Sequence, residues 1–487
     1  MKTYEDFLEV QNENELKFFV QQAIYEFKAT KDYNTAKDAY EYYCRRNTTI
    51  TQYQKLLYTL SGEAVPDNFS ANYKFCNSLF PTFVKQEASY LLGNGVTFNE
   101  EGTKDKLGGE RFDTSMMNLA KKALWGGVSF GFLNLDKIDV FSLLEFVPLY
   151  GEEDGALHAG IRFWQLADNK PMRATLYEPD GYTEFIYRTK ASDDKPSFEI
   201  LKEKRPYIQV VRTSEADGNE IIDGENYPGF PIVPLYANDE RVNEFTGLRE
   251  KIDGYDLIQS GFANDLDDAS QIYWTIQNAG GMDDVDLAQF VERMKVVKAA
   301  VVDDDGSTAE AHTLEVPHQA RMAALAELRN SLFSDAMAVD TQQIANGNIT
   351  ATAIRGLYTN LDLKCDDFEN CVNEFIYNIL DLLGIEDAPS YKRNRVVNEQ
   401  EQTQTVLLAA NYLDEETILK HLPFLSPDEI QSIMMKKEKE EMLRFADLEA
   451  ENEKLNAQIQ EMESVTNGEN GTATGEDVPG SEEGTEP

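Results

Sequence analysis

Basic residues are scarce in this sequence relative to acidic ones. The 487 residues include 45 Lys and Arg against 87 Asp and Glu, for a formal net charge of −42 at pH 7. Proteins hold nucleic-acid phosphates mainly through Lys and Arg, which displace condensed counterions. The composition therefore argues against a protein that adheres to nucleic acid. It does not exclude one that guides a polyanion without holding it.

Cysteines and long apolar runs are also scarce. The sequence has only four cysteines, at Cys44, Cys76, Cys365 and Cys371. None belongs to a C-x-x-C motif, and this usage is typical of free thiols in a reducing compartment. No apolar run reaches the ~20 residues that span a bilayer, and the acidic N-terminus does not resemble a signal peptide. We therefore expect assembly in the cytoplasm and no membrane partner.

Motifs for nucleotide or metal chemistry are missing as well. No glycine is followed directly by lysine, so the sequence has no phosphate-binding G-x-x-x-x-G-K-[ST] loop, and no H-E-x-x-H occurs. Acidic clusters such as Asp283, Asp284 and Asp286 could hold a divalent cation for a nuclease. Such clusters are expected by chance in so acidic a chain. We expect no catalytic residues, cofactor or metal site, and keep a metal-dependent DNA-processing enzyme as the weaker alternative.

Hydrophobic periodicity predicts a mixed α+β fold that is mainly helical. Residues 1–62 and 72–92 show the spacing of amphipathic helices, with Pro81 expected to kink or restart the second. Short β-rich segments alternate with turns between about 140 and 235, which indicates an antiparallel β region. From residue 242 onward, apolar positions again recur every three or four residues, which predicts a long helix.

Three glycines in this predicted long helix are seven residues apart, at Gly247, Gly254 and Gly261. A glycine inside a helix costs about 1 kcal/mol relative to alanine. Three in register indicate that another backbone comes close along one side. Further on, two strands are expected around the acidic turn Asp303-Asp304-Asp305, and a second helix is followed by a polar loop containing Asn346-Gly347-Asn348.

Several short motifs, taken in order, resemble one known family. They are Asn72-Tyr73-Lys74-Phe75-Cys76-Asn77 with Val84 and Tyr90-Leu91-Leu92-Gly93, then Gly131-Phe132, Ile161-Arg162-Phe163-Trp164 and Pro231-Ile232-Val233-Pro234, and finally Asn238, Leu248, Ile252-Asp253, Tyr255, Ser260 and Asn264-Asp265. In order and spacing they are similar to the portal proteins of siphovirus-type tailed bacteriophages. The sequence departs from the family after Tyr42-Tyr43, where Cys44 and Arg45 stand in place of the usual glycine and histidine.

The resemblance implies a portal fold, with wing, stem, clip and crown regions, in a ring of twelve identical subunits around a central channel. Carried onto this chain, the regions are a wing of helices and antiparallel strands (1–240), a first stem helix (241–270), a clip (271–317), a second stem helix (318–340), a tunnel loop (341–350), a long wing helix (351–385), a helical crown (386–464) and a disordered acidic tail (465–487).

The resemblance also implies a place and a set of partners. The ring would lie at one capsid vertex of the virion, after assembly in the host bacterial cytoplasm, and would pass double-stranded DNA during packaging and ejection. Its partners would be other copies of the chain, the terminase large subunit, the head-completion adaptor, and the major capsid and scaffold proteins. Another head–tail connector or a scaffold protein remains an alternative.

The predicted site residues fall into groups by role. The channel-lining acids, expected to repel DNA phosphates, are Asp253, Asp256, Asp265 and Asp268. The stem-packing residues are Gly247, Gly254 and Gly261. The tunnel-loop residues are Thr341, Gln342, Gln343, Asn346, Gly347, Asn348 and Thr350. The clip residues expected to bind partners are Asp283, Asp284, Asp303, Asp304 and Asp305.

Overall fold

The computed structural model consists of two units, Met1–Arg395 and Val396–Pro487, and each is described by itself. The described residues are 1–58, 62–67, 70–100, 102–188, 197–213, 220–269, 273–277, 308–312, 317–342 and 351–394, with 285, 289 and parts of 403–459.

The first unit begins with a helical layer, as the periodicity predicts up to Gln52. The helical prediction for residues 1–62 is wrong at its end, where Leu56–Tyr58 form a strand. The helices of this layer are α1 Tyr4–Leu8, α2 Glu13–Lys28, α3 Lys31–Tyr43, α4 Thr48–Gln52, α5 Leu79–Leu92, α6 Thr103–Lys106 and α7 Glu110–Gly126. Thr3, Asn12, Thr30 and Asn47 explain where the first four helices begin. Each side-chain oxygen accepts a hydrogen bond from the backbone N–H three residues on, which would otherwise lack a partner.

The prediction of a helix over residues 72–92 is wrong at its start. Residues 71–78 have no helical structure, and α5 begins at Leu79. Pro81 therefore lies in the first helical turn, where a missing N–H breaks no intrahelical bond, and it neither kinks nor restarts the helix.

Antiparallel strands follow the helical layer, which confirms the predicted β region. The strands of the unit are β1 Leu56–Tyr58, β2 Ala64–Pro66, β3 Val96–Phe98, β4 Val128–Asn134, β5 Lys137–Ser142, β6 Phe146–Tyr150, β7 Leu157–Trp164, β8 Arg173–Glu178, β9 Gly181–Arg188, β10 Ser197–Arg205, β11 Ile208–Thr213, β12 Glu220–Glu225 and β13 Ile232–Tyr236. Strands β6 to β10 form a five-stranded meander. Strand β4 is the centre of a three-stranded sheet in the order β13-β4-β5.

One large core lies where these sheets meet α2, α5 and α7. Its fully buried side chains include Phe80, Phe112, Phe130, Phe146 and Phe185. Burying one such side chain contributes roughly 1.5–3 kcal/mol, so the aromatic-rich sequence supplies the apolar area that holds the helical layer on the strands. Gly131 in β4 lies against the ring of Phe375, where a Cβ would come within 2.5 Å of that ring.

Three longer helices complete the unit. They are α8 Arg249–Ala269, α9 His318–Asp335 and α10 Ala351–Leu383, in the predicted first stem, second stem and long wing segments. Between α8 and α9, strands β14 Tyr273–Gln277 and β15 Thr308–His312 form an antiparallel pair. Helix α10 ends before Gly384, whose φ of +63° is the left-handed conformation favoured after a helix, as predicted.

The first predicted stem helix starts later than the sequence pattern suggests. Residues before Arg249 form turns, and Gly247 has a φ of +85°, which a helix does not allow. The predicted row of three helical glycines is therefore wrong at Gly247. The pattern was misleading because apolar residues in the preceding turns, such as Phe245, are buried in the core at the same spacing.

The segment after α10 also differs from expectation. Strand β16, Pro389–Tyr391, pairs with β3, and so the residues just after 386 belong to the first unit rather than to a separate crown. In the second unit, α11 Glu415–His421 begins at Asp414, whose carboxylate accepts from the backbone N–H of Thr417. The predicted acidic tail, 465–487, lies outside the described residues.

Candidate functional site

An extended segment, residues 73–77, runs along α8 and is called the strap here. The backbone N–H groups of Tyr73, Phe75 and Asn77 each donate a hydrogen bond to a side chain of α8. Their acceptors are Asn264 Oδ1 at 2.7 Å, Ser260 Oγ at 2.9 Å and Asp256 Oδ1 at 3.0 Å, respectively. The strap and the helix therefore run antiparallel, with every second strap residue bonded to every fourth helix residue.

The two backbone geometries explain this register. Two residues of extended chain span about 6.6 Å, and four residues of α-helix rise about 6.0 Å. One face of the helix can therefore satisfy consecutive N–H groups on one edge of the strap. These are the residues of two of the motifs that carry the family resemblance, and the structure shows that the motifs, about 190 residues apart in sequence, form one interface.

Asp256 is at the centre of this interface. It is 1% exposed, and its carboxylate accepts hydrogen bonds from Asn47 Nδ2 at 2.8 Å and from Asn77 Nδ2 at 2.6 Å, besides the strap N–H. Burial raises the pKa of Asp256, and the hydrogen bonds from Asn47 and Asn77 oppose that shift. The prediction that Asp256 lines a channel is wrong, because its carboxylate is enclosed and bonded within the chain.

The other predicted channel acids of α8 have different surroundings. Asp253 is half-buried and accepts a 2.6 Å hydrogen bond from the hydroxyl of Tyr42. Asp265 forms an ion pair with Arg321 of α9. Asp268 lies in the last turn of α8, and its side chain is outside the described residues. Asp253 and Asp265 thus have partners within the chain, and their exposure to a channel stays a prediction.

Polar contacts fix α8 and α9 as an antiparallel pair. Lys251, near the start of α8, donates to Ser331 Oγ at 2.7 Å and forms an ion pair with Asp335, near the end of α9. The Asp265–Arg321 pair closes the opposite end. Ion pairs at exposed positions contribute little stability individually, so these contacts set the helix register rather than the strength of packing.

The two helical glycines differ in what surrounds them. A Cβ at Gly261 would lie 3.3 Å from the guanidinium of Arg321, so this glycine makes room for the neighbouring stem helix. At Gly254 a Cβ would meet nothing within 4 Å. Among the described residues, nothing gives a packing reason for Gly254.

Most predicted loop and clip residues cannot be located. Asp283, Asp284, Asp303, Asp304, Asp305, Gln343, Asn346, Gly347, Asn348 and Thr350 lie outside the described residues. Thr341 and Gln342 are exposed in a short helical turn. The N–H of Gln342 donates to Asp340 Oδ1 at 3.0 Å, and Asp340 in turn accepts two 3.0 Å hydrogen bonds from the Arg329 guanidinium. The end of the second stem helix is thereby fixed just before the predicted tunnel loop.

A buried charge cluster joins α10 to α5, to the turns before α8 and to the end of α9, and no sequence motif points to it. The ammonium of Lys364, on α10, lies between the carboxylates of Glu87 on α5 and Glu244 in the turns before α8. It also donates to the carbonyl of Ala336, just after α9, at 3.2 Å. Burial raises the pKa of Glu87 to about 8, although Lys364 opposes the shift. We call this set the Lys364 cluster.

Neither metal nor membrane sites are evident in the part of the chain that the structure describes. There, no three His, Cys, Asp or Glu side chains are arranged to hold a metal ion. Among the same residues, no helix combines the length and the apolar character required to cross a bilayer.

Comparison with known proteins identifies the class. The model of the family described as phage portal protein, SPP1 Gp6-like, matches residues 23–451, and the chain therefore belongs to this family. It is 24% identical over 411 residues to the portal protein of Clostridium phage phiCD119, covering 78% of this chain and 88% of that protein. It is 22% identical over 439 residues to the portal protein of Bacillus phage SPP1, covering 84% of each.

Solved structures from gene transfer agent (GTA) particles are more distant. One chain from the neck of an empty particle has a TM-score of 0.40 and 13% identity, and covers 70% of this chain and 88% of its own length. Another, from the neck of a native particle computed with C12 symmetry, has a TM-score of 0.39 and 11% identity, and covers 72% and 90%. These structural similarities are too low to support a conclusion about assembly.

Proposed function

We propose that this portal-family chain closes with copies of itself, twelve as the family resemblance implies, into a ring at one capsid vertex. Double-stranded DNA would pass through its channel during packaging and ejection, and the role would be structural rather than catalytic. The observation that carries the proposal is the family match across residues 23–451. The α8–α9 pair, held in register at both ends, supports it as the wall of such a channel.

Electrostatics supports the passage of DNA without adhesion. With 87 acidic against 45 basic residues, a ring of these chains would present few unpaired cations to phosphates. Repulsion between a negative wall and DNA acts over about 10 Å at 0.1 M salt, so it would keep the duplex from sticking. Asp253, Asp265 and Asp268 remain proposed wall residues, and Asp256 is removed from that set.

Partner contacts are proposed by region. The segment between α8 and α9, which contains the antiparallel pair β14–β15, would form the clip that meets the terminase large subunit and later the head-completion adaptor. Capsid and scaffold proteins would contact the wing. The loop at 341–350, which follows the fixed end of α9, would project toward the DNA as the tunnel loop.

Assembly is the decisive test of the proposal. The purified full-length chain should elute as a large complex, with a mass near an integral multiple of 55.1 kDa by light scattering. Negative-stain electron microscopy should show rings with a central hole. A chain that stays monomeric at all concentrations and salt conditions, or that forms compact particles without a hole, would overturn it.

A further inference from the structure

The two ends of the α8–α9 pair converge on one side chain. Glu244 lies in the turns before α8, and Ala336 directly follows α9. The ammonium of Lys364, on α10, contacts both. It forms an ion pair with the Glu244 carboxylate and donates to the Ala336 carbonyl at 3.2 Å. One lysine therefore holds the beginning and the end of the pair, which we call its base.

Helix α5 contacts the same base with apolar and polar side chains. The ring of Phe83 packs edge-on against that of Phe333, near the end of α9, with 5.1 Å between their centroids. The Gln86 amide donates to the Val339 carbonyl at 2.9 Å and accepts from the Val339 N–H at 3.0 Å. The base of the α8–α9 pair thus rests on α5 and α10 together.

Glu87 of α5 competes with the base for the Lys364 ammonium. Its Oε2 atom lies 2.7 Å from Nζ of Lys364, but the contact lacks hydrogen-bond geometry, and this buried oxygen accepts no hydrogen bond among the described residues. Glu87 is 1% exposed, Lys364 12% and Glu244 15%. Two carboxylates on different elements therefore share one ammonium where little water can screen them. When both are ionised, the cluster has one negative charge in excess.

No second cation relieves this excess among the residues that the structure describes. There, Lys364 is the one cation at ion-pair distance from Glu87 or Glu244. Burial raises the pKa of Glu87 to about 8, while Lys364 opposes this shift and Glu244 adds to it. The other ionisable groups around the cluster are Asp362 and Cys365 of α10, and Arg393, which pairs with Asp366 and Glu369.

We propose that the Lys364 cluster is a proton-controlled clamp on the base of the α8–α9 pair. With Glu87 neutral, Lys364 is left to Glu244 and Ala336 and fixes both ends of the pair to α10. With Glu87 ionised, repulsion between the two carboxylates makes the base open more often. The clamp is a property of one chain and does not depend on ring formation.

The direction of the effect follows from linkage. Opening the base exposes Glu87 and returns its pKa toward the ordinary value of 4.5. A group whose folded-state pKa is raised stabilises the closed state at low pH, and this stabilisation is lost as the pH rises to that raised value. The clamp should therefore be tight near pH 5 and loose near pH 8.

Hydrogen–deuterium exchange of the full-length chain tests the clamp. Exchange is read by mass spectrometry between pH 6 and pH 8 and expressed as protection factors, which remove the intrinsic pH dependence of exchange. Peptides from the start of α8 and the end of α9 report on the base, and peptides from β7 and β8 report on the rest of the unit. Light scattering checks that the oligomeric state is the same at each pH.

Three variants with glutamine in place of glutamate separate the clamp from other effects. Glu87→Gln and Glu244→Gln each remove one carboxylate of the cluster and keep the side-chain shape. The matched control is Glu184→Gln in the meander, because Glu184 also pairs with a lysine, Lys202, at 2.7 Å.

Protection at the base should fall about tenfold or more from pH 6 to pH 8 in the unmodified chain and in Glu184→Gln. In Glu87→Gln it should stay constant. In Glu244→Gln the fall should move to lower pH, because Glu244 helps to raise the pKa of Glu87.

Several outcomes would overturn the proposal. They are constant protection in the unmodified chain, the same fall in Glu87→Gln, an unshifted fall in Glu244→Gln, or an equal fall in the β7 and β8 peptides, which would indicate a change in the whole unit. Should Glu87→Gln disturb folding, the shift in Glu244→Gln decides.

Discussion

Replacing Lys364 by methionine should destabilise the first unit more than any exposed lysine replacement. Lys364 is 12% exposed and Glu87 is 1% exposed, and their charged atoms are 2.7 Å apart. Methionine keeps most of the apolar stem and removes the charge, so the Glu244 carboxylate would lose its cationic partner, and Glu87 would lose its own above its raised pKa. Removing one partner of a buried ion pair typically costs about 3–5 kcal/mol.

A matched control separates this effect from loss of an ordinary ion pair. Lys202 on β10 pairs with Glu184 at 2.7 Å, but its side chain is 45% exposed. Lys202→Met should cost at most about 1 kcal/mol. Urea unfolding followed by circular dichroism would compare the transition midpoints of both variants. Equal midpoints for Lys364→Met and Lys202→Met would refute the reasoning.

The same cluster predicts a pH dependence. Burial alone would lower the pKa of Lys364, but Glu87 and Glu244 together raise it, so Lys364 stays charged near neutral pH. Burial raises the pKa of Glu87 from 4.5 to about 8. A group with a raised folded-state pKa contributes stability at low pH that is lost as the pH rises through that value. Stability should therefore fall between about pH 5 and 8.

The variant Glu87→Gln provides the test, because glutamine has nearly the same shape and does not ionise. Between pH 6 and 9, the melting temperature of the Glu87→Gln variant should fall less than that of the unmodified chain. Parallel pH profiles for the two proteins would show that Glu87 does not titrate in this range.

The remaining predictions concern the stem and the loop. Asp256→Leu should release the strap and lower the free energy of unfolding by about 1–3 kcal/mol, because it leaves buried donors without an acceptor. Unchanged protease sensitivity at residues 70–78 would contradict this. Gly254→Leu should leave the fold of one chain intact but impair ring assembly, measured by light scattering. Gly254→Ala is the milder control. Normal rings from both variants would count against a neighbouring backbone at Gly254. Deleting residues 346–348 should slow DNA packaging in an in vitro assay while sparing ring formation, and unchanged packaging would remove the tunnel-loop assignment.

Sequence patterns alone predicted most of the described helices and strands, and the family. Periodicity located α2, α3, α8, α9 and α10 because apolar residues recur every three or four positions where a helix buries one face. Turn-separated β-rich segments indicated the meander in the same way. The ordered motifs indicated the portal family, although the sequence did not show which residues of these motifs contact each other.

Only the tertiary structure decided what individual polar residues do. Asp256, Ser260 and Asn264 look like the solvated face of a helix, but they are acceptors for the strap, which is distant in sequence. Asp253 likewise accepts from Tyr42 of α3. The Lys364 cluster likewise joins segments from residues 87, 244, 336 and 364. A local sequence pattern indicates which face of one helix or strand is buried. A buried hydrogen bond or ion pair instead needs two elements, and only the folded structure brings those elements into contact.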